Sequence, residues 1–274
     1  MIEFANPAAY ELWMGRWSTR LAPALVAFAD LALGSRLLDV GSGTGALSRA
    51  LLEGVAGATV VGIEPAEAFV AWCRETTIDP RLRFETGDAL ALPFPDHSFD
   101  ATLALLILQE LADVPLALSE MRRVTRPGGP VVASQWDFAS GMPMLTLFWD
   151  AVLEVAPGRA ARQAAASCMV VDYPGDTALR RLWRQAGLVE VETARHEIDM
   201  TFASFEDYWR PFLSNVSQAS SFAGTLGANQ RSELERHLRR KTAGAASRGP
   251  FTLKAHAWAV RGKVPGGRRS TDAT

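Results

Sequence analysis

The chain has 274 residues, 48% hydrophobic and 21% charged, with a formal net charge of −2, enough for one large domain or one domain with a substantial insertion. Balanced charge argues against nucleic acid, which calls for a concentrated basic surface. Two cysteines, Cys73 and Cys168, cannot form a four-thiolate zinc site and suit a cytoplasmic protein, and neither a signal-like leader nor an apolar run of about 18 residues points to a membrane.

In chain order, Asn6-Pro7 can cap and start a helical segment that Gly34 closes. Arg36 to Val40 is a short apolar run ending in glycines, followed by a helical Ala46 to Glu53. Ala58 to Ile63, Leu82 to Glu85, Phe99 to Ile107 and Pro130 to Trp136 read as further strands, with helices at Ala66 to Glu75 and Val114 to Val124. Strands alternating with helices imply a parallel sheet, whose central members are continuously apolar. After Trp136 the alternation breaks. Helices are expected at Met144 to Val155 and Leu179 to Ala186, strands at Leu188 to Thr193 and Leu253 to Val260. The basic stretch Arg231 to Arg248, diluted by Glu233 and Glu235, reads as a solvated helix face. The expected division is an N-terminal helical lid (1–34), a core (35–199 and 250–262), a helical insertion covering the site (200–249) and a disordered tail (263–274).

The chemistry centres on Asp39-Val40-Gly41-Ser42-Gly43-Thr44-Gly45, a turn between a strand and a helix. Glycines there let the backbone turn sharply and approach a ligand, and the helix start presents amide N–H groups. Gly41, Gly43 and Ala46 also satisfy the dinucleotide fingerprint, and a bare tight turn fits as well. Glu64, ending the next strand, can accept from ribose hydroxyls or be a surface acid. Asp88, after the third strand, can accept an adenine amino group, with the Ala89 amide on a ring nitrogen, or can cap a turn.

Four stretches in order carry a resemblance: Leu37 to Gly45, Gly87-Asp88-Ala89, Leu92-Pro93-Phe94-Pro95-Asp96-His97-Ser98-Phe99-Asp100, and Met121 to Gly129 with its Arg126-Pro127-Gly128-Gly129 end. Together they resemble the class I S-adenosylmethionine-dependent methyltransferases, methyltransferase type 11 family, which includes ubiquinone- and menaquinone-biosynthesis-type enzymes. The resemblance implies an α/β fold: a three-layer αβα sandwich around a seven-stranded, mostly parallel sheet with the last strand antiparallel. It implies that Asp39, Gly41, Ser42, Gly43 and Gly45 hold the amino-acid part of S-adenosylmethionine. Glu64 would hold the ribose, Pro65 and Ala66 would lie beside the adenine, and Gly87, Asp88 and Ala89 would meet its edge. Leu105 and Leu106 would line the floor near the sulfonium. The segment Tyr10 to Ser18 resembles a subgroup in which it folds over the cofactor, so that Tyr10 and Arg16 would meet the methionine carboxylate.

The implied activity is methyl transfer by in-line displacement to a small, apolar or aromatic molecule, with S-adenosylhomocysteine as product. Alignment and a dry site suffice unless the nucleophile must lose a proton. No catalytic base is therefore identified; His196 is a candidate that reads more readily as a surface or structural histidine, and Glu110 and Gln109 are candidates that could face the substrate or simply start a helix. Trp136, Met142, Met144, Phe148, Trp149, Phe205, Tyr208, Trp209 and Phe212 form either an acceptor pocket or a core. A non-catalytic S-adenosylmethionine-binding module and an NAD(P)-dependent oxidoreductase stay as alternatives. No metal is expected, and the oligomeric state is not legible.

Overall fold

A computed structural model describes residues 6–243 and 249–266. Its strands are β1 (Arg36–Val40), β2 (Thr59–Glu64), β3 (Leu82–Thr86), β4 (Ala101–Leu105), β5 (Pro130–Trp136), β6 (Val189–Phe202) and β7 (Phe251–Lys263). Its α-helices are α1 (Pro7–Tyr10), α2 (Arg16–Ala29), α3 (Ala46–Gly54), α4 (Glu67–Thr76), α5 (Val114–Val124), α6 (Pro143–Val155), α7 (Arg159–Met169), α8 (Gly175–Gln185), α9 (Phe205–Trp209), α10 (Gln218–Thr225) and α11 (Ala228–Ala243). A π-helical turn, Glu11–Gly15, joins α1 to α2.

The strands form one seven-stranded sheet in the order β3-β2-β1-β4-β5-β7-β6. β1 pairs in parallel with β2 and β4, β2 with β3, and β4 with β5. β7 runs the other way. Just before β5, Gly128 donates to the Val264 carbonyl and Val264 donates to the Gly129 carbonyl, and just past its end Asp137 donates to the carbonyl of His256. All five residues of β4 are buried, as are six of the seven in β5, the pattern of strands covered on both faces. Helices flank the sheet: α3 packs on β1 and β2, α4 on β2 and β3, and α5 on β4. On α8, the buried Trp183 indole donates to the Val131 carbonyl at 3.0 Å. Among the described residues no helix is long and apolar enough to cross a membrane.

Two compact units divide the chain. One comprises Met1–Leu21, Trp136–Pro174 and His196–Ala257; the other comprises Ala22–Gln135, Gly175–Arg195 and Trp258–Thr274. We call them the aromatic unit and the loop unit. The division does not follow the expected boundaries, because 136–174 groups with the N-terminal helices and not with the strands before it.

Three differences from the sequence reading have plain causes. β6 continues nine residues past Thr193, because Ile198, Met200 and Phe202 are buried while Glu197, Asp199 and Thr201 between them are exposed; alternation resumes after the break at Ala194-Arg195. The expected insertion therefore loses 200–202 to a strand. β7 extends through Lys263, so the expected tail begins inside a strand; residues 267–274 lie outside those described. α7 lies outside the expected helices, although alanine, which supplies five of its eleven residues, favours helix.

Candidate functional site

Parallel strands bring their C-terminal ends to one edge, where ligands of open α/β sheets bind. Here that edge, within the loop unit, carries the turn after β1, Glu64 at the end of β2, Gly87 to Ala89 after β3, and Leu105 to Glu110 after β4.

The turn after β1 is anchored from below. The amides of Gly41 and Ser42 both donate to the carbonyl of Ile63, at 2.8 and 2.9 Å, and Gly45 closes the turn onto Ser42 O at 2.8 Å. Gly41 (φ 69°) and Gly43 (φ 52°) are left-handed, a region where an L side chain is strained. The two differ in what lies beside them. A β-carbon on Gly41 would fall 2.6 Å from Ile107 Cγ2, whereas one on Gly43 would have nothing within 4 Å. Gly43 therefore faces open space, and Gly41 is pressed against the turn after β4. The Gly43 carbonyl accepts from the buried Cys73 thiol at 3.3 Å.

Asp39 is fully buried. Its Oδ2 accepts from the Ser48 hydroxyl at 2.6 Å, while Oδ1 has no partner, and neither does the buried Ser42 hydroxyl. Desolvation is the main reason its pKa rises to about 7; the Ser48 bonds oppose it and the Glu64 charge adds to it. Glu64 accepts from Gly43 N at 3.1 Å and Ala66 N at 3.2 Å. Desolvation likewise raises its pKa, against those two hydrogen bonds. Pro65 is exposed beside it.

After β3, Gly87 donates to the Glu64 carbonyl at 3.2 Å, and a β-carbon there would collide with Ile63 Cδ1 at 2.4 Å. Asp88 is exposed, its Oδ1 accepting from Leu90 N at 2.9 Å, and Ala89 is buried. After β4, Leu105 and Leu106 are buried, and Leu106 is left-handed (φ 62°). Gln109 Nε2 donates to the Leu106 carbonyl at 2.7 Å. Glu110 keeps surface access, yet enough protein surrounds its carboxyl for desolvation to raise its pKa.

Not every candidate lies in this unit. Tyr10, Arg16 and His196 belong to the aromatic unit. Arg16 is bound to Asp207, Nη1 to Oδ1 at 2.7 Å and Nη2 to the Asp207 carbonyl at 3.2 Å, with its guanidinium 4.4 Å from the Trp17 ring centroid. Nothing in the sequence around Arg16 announced this partner 191 positions away. His196 sits half-buried within β6, and desolvation lowers its pKa.

The nine residues read as pocket or core are all buried in the aromatic unit. Phe148 stacks on Phe212 at 4.4 Å with 6° between planes, Tyr208 meets Phe212 at 5.2 Å, and the Tyr208 hydroxyl donates to the Met144 carbonyl. Aromatic rings at such spacings form a packed core. Among the described residues no group of three or more His, Cys, Asp or Glu is placed to hold a metal.

The turn offers a ligand both unpaired polar groups and room for close approach. Asp39 Oδ1 and the Ser42 hydroxyl are unfilled, Gly43 leaves room for close approach, and Glu64 stands one strand over. Comparison with known proteins supplies the class. A family model described as a methyltransferase domain matches residues 38–133. A demethylmenaquinone methyltransferase of Parafrankia sp. is 30% identical over 200 residues, covering 64% of this chain and 76% of that protein. One from Renibacterium salmoninarum is 33% identical over 132 residues, covering 48% of this chain and 54% of its own length. The chain thus spans only about half of some curated relatives and three quarters of others. In fold it is similar to the YcgJ protein of Bacillus subtilis (TM-score 0.56, 18% identity, 92% of this chain and all of that one). It is also similar to a Haemonchus contortus phosphoethanolamine N-methyltransferase in complex with S-adenosyl-L-methionine (TM-score 0.55, 17% identity, 95% of this chain and 57% of that one). Fold, ordered motifs and relatives converge: the chain belongs to the class I S-adenosylmethionine-dependent methyltransferases, in the methyltransferase type 11 family.

Proposed function

We propose that this protein transfers the methyl group of S-adenosylmethionine to a small, apolar or aromatic acceptor by in-line displacement, in the reducing cytoplasm. The observation that carries the reading is the loop after β1, with its open Gly43 and the unpaired Asp39 Oδ1 and Ser42 hydroxyl beside Glu64. Asp39, Gly41, Ser42, Gly43 and Gly45 would hold the amino-acid end of the cofactor, Glu64 the ribose, and Pro65, Gly87, Asp88 and Ala89 the adenine. The relatives named for demethylmenaquinone, and one Paracoccus denitrificans relative named a ubiquinone/menaquinone biosynthesis C-methyltransferase, favour an acceptor that is an aromatic diol, whose electron-rich ring can supply the nucleophile.

When bound, the cofactor supplies a methyl group already activated on a sulfonium. The residues of this chain have three tasks: to hold it, to orient it and to exclude water. Leu105 and Leu106 present a buried apolar surface at the end of β4. An acceptor that must lose a proton needs a base, and Glu110 and His196 have shifted pKa values of opposite direction. Desolvation favours the neutral form of the His196 imidazole, the form with a lone pair to offer, and at the same time makes it a weaker base. It also favours the protonated form of Glu110.

The test is turnover. The protein is incubated with S-adenosylmethionine and a panel of quinols, phenols and aliphatic amines, and S-adenosylhomocysteine is quantified. Product with the aromatic members alone is expected. Product only with the amines contradicts the acceptor class, and tight cofactor binding without product from any member favours a non-catalytic binding module.

A further inference from the structure

The turn after β4 holds a backbone strain that needs a restraint. Leu106 is left-handed at φ 62° and 6% exposed. Bulky L-residues seldom adopt this conformation, and it persists only where the surroundings over-determine it. Its amide donates to Ser134 O at 2.8 Å, which ties the turn to β5. Its carbonyl is held by one side chain, Gln109, through Nε2 at 2.7 Å. The next residue, Ile107, lies against Gly41: Cγ2 and Cδ1 would be 2.6 and 2.9 Å from a β-carbon placed there. All five residues belong to the loop unit. Gln109 Oε1 is buried with no hydrogen-bond partner, so the amide is spent on the Leu106 carbonyl at the cost of its own acceptor, and such unsatisfied groups ask for a functional reason.

We propose that Gln109 is a positioning residue for the cofactor loop. By clamping the Leu106 carbonyl it keeps Leu106 left-handed, which seats Ile107 on Gly41 and holds the glycine turn in its binding shape. The inference rests on the reading of that turn as the S-adenosylmethionine site. Gln109 thereby acts through the backbone and not on the reacting atoms, so its loss shows in cofactor affinity and not in the chemical step.

The test pairs Gln109→Met, which keeps length and removes the donor, with Leu106→Gly. Glycine takes a left-handed φ without steric cost, so it makes the clamp dispensable. S-adenosylhomocysteine affinity is measured by calorimetry for the four combinations, with KM and kcat for the single Gln109 variant. Gln109→Met is expected to weaken affinity about tenfold when residue 106 is Leu and less than about twofold when it is Gly, the size of coupling seen between contacting residues. KM for the cofactor rises in step while kcat at saturation holds. Equal losses in both backgrounds, unchanged affinity, or a fall in kcat with KM unmoved each overturn the proposal. Absence of binding by the unaltered protein strikes at the functional reading itself, so the two failures are distinct. If Gln109→Met does not fold, Gln109→Glu gives the same comparison, since an ionised carboxylate keeps the size and cannot donate.

Discussion

At the scale of single residues, Asp39 is the proposed cofactor contact with the clearest pH dependence. A carboxyl with no solvent contact, one oxygen on Ser48 and the other bare, is poised between charge states near neutral pH. Because its folded pKa of about 7 lies above its unfolded value near 3.9, the native state binds more protons between these limits. Asp39 therefore makes the protein less stable as pH rises from about 4 to about 7. Urea unfolding midpoints at pH 5 and pH 8 should fall for the native sequence and fall less for Asp39→Asn; parallel curves would contradict this. A cationic ligand end beside Asp39 reverses the preference, so cofactor affinity should rise over the same range. That Asp39, Glu64 and Asp88 lie at or just beyond the ends of successive strands was legible in the sequence because acids after apolar runs stand out. The partnership of Arg16 with Asp207 was not, since it depends on how distant segments pack.

Among elements, the parallel part of the sheet was the readable part. β1, β2, β4 and β5 are mainly apolar runs with glycine, proline or an acidic residue at or beside at least one end, and their type and order follow from that. β6 was misjudged because its alternation lapses at Ala194-Arg195 before resuming on Ile198. The aromatic residues after Trp136 left pocket and core open because both use the same residue types. Ring packing decides for the core, with Phe212 lying against Phe148, Tyr208 and Trp13. Phe212→Ala should then cost about 3–5 kcal/mol of stability, the usual range for emptying a buried aromatic site. Chemical denaturation checks it. A loss under about 1 kcal/mol would mean that the ring faces usable space and not packed neighbours.

At the scale of the whole molecule, the motif-bearing residues from Asp39 to Leu106 fall within one unit, and the aromatic cluster falls within the other. The residues matched by the family model, 38–133, all lie within the motif unit, and the cofactor was legible because its proposed contacts fall on glycines and acids at strand ends, whereas the aromatic residues weighed as an acceptor pocket use the same types as a core. The dinucleotide alternative at Gly41, Gly43 and Ala46 yields to the ordered motifs and the relatives that share them. The central claim is that the open side of Gly43 is where S-adenosylmethionine lies. Calorimetric titration with S-adenosylhomocysteine tests it most directly, comparing the native protein, Gly43→Ala and Gly34→Ala. Both glycines are left-handed with nothing within 4 Å of an added methyl group, so both substitutions carry the same backbone strain. The account predicts binding by the native protein and by Gly34→Ala, with affinity reduced at least about tenfold in Gly43→Ala; equal affinities for the two variants, or binding of NADH in place of S-adenosylhomocysteine, would contradict it.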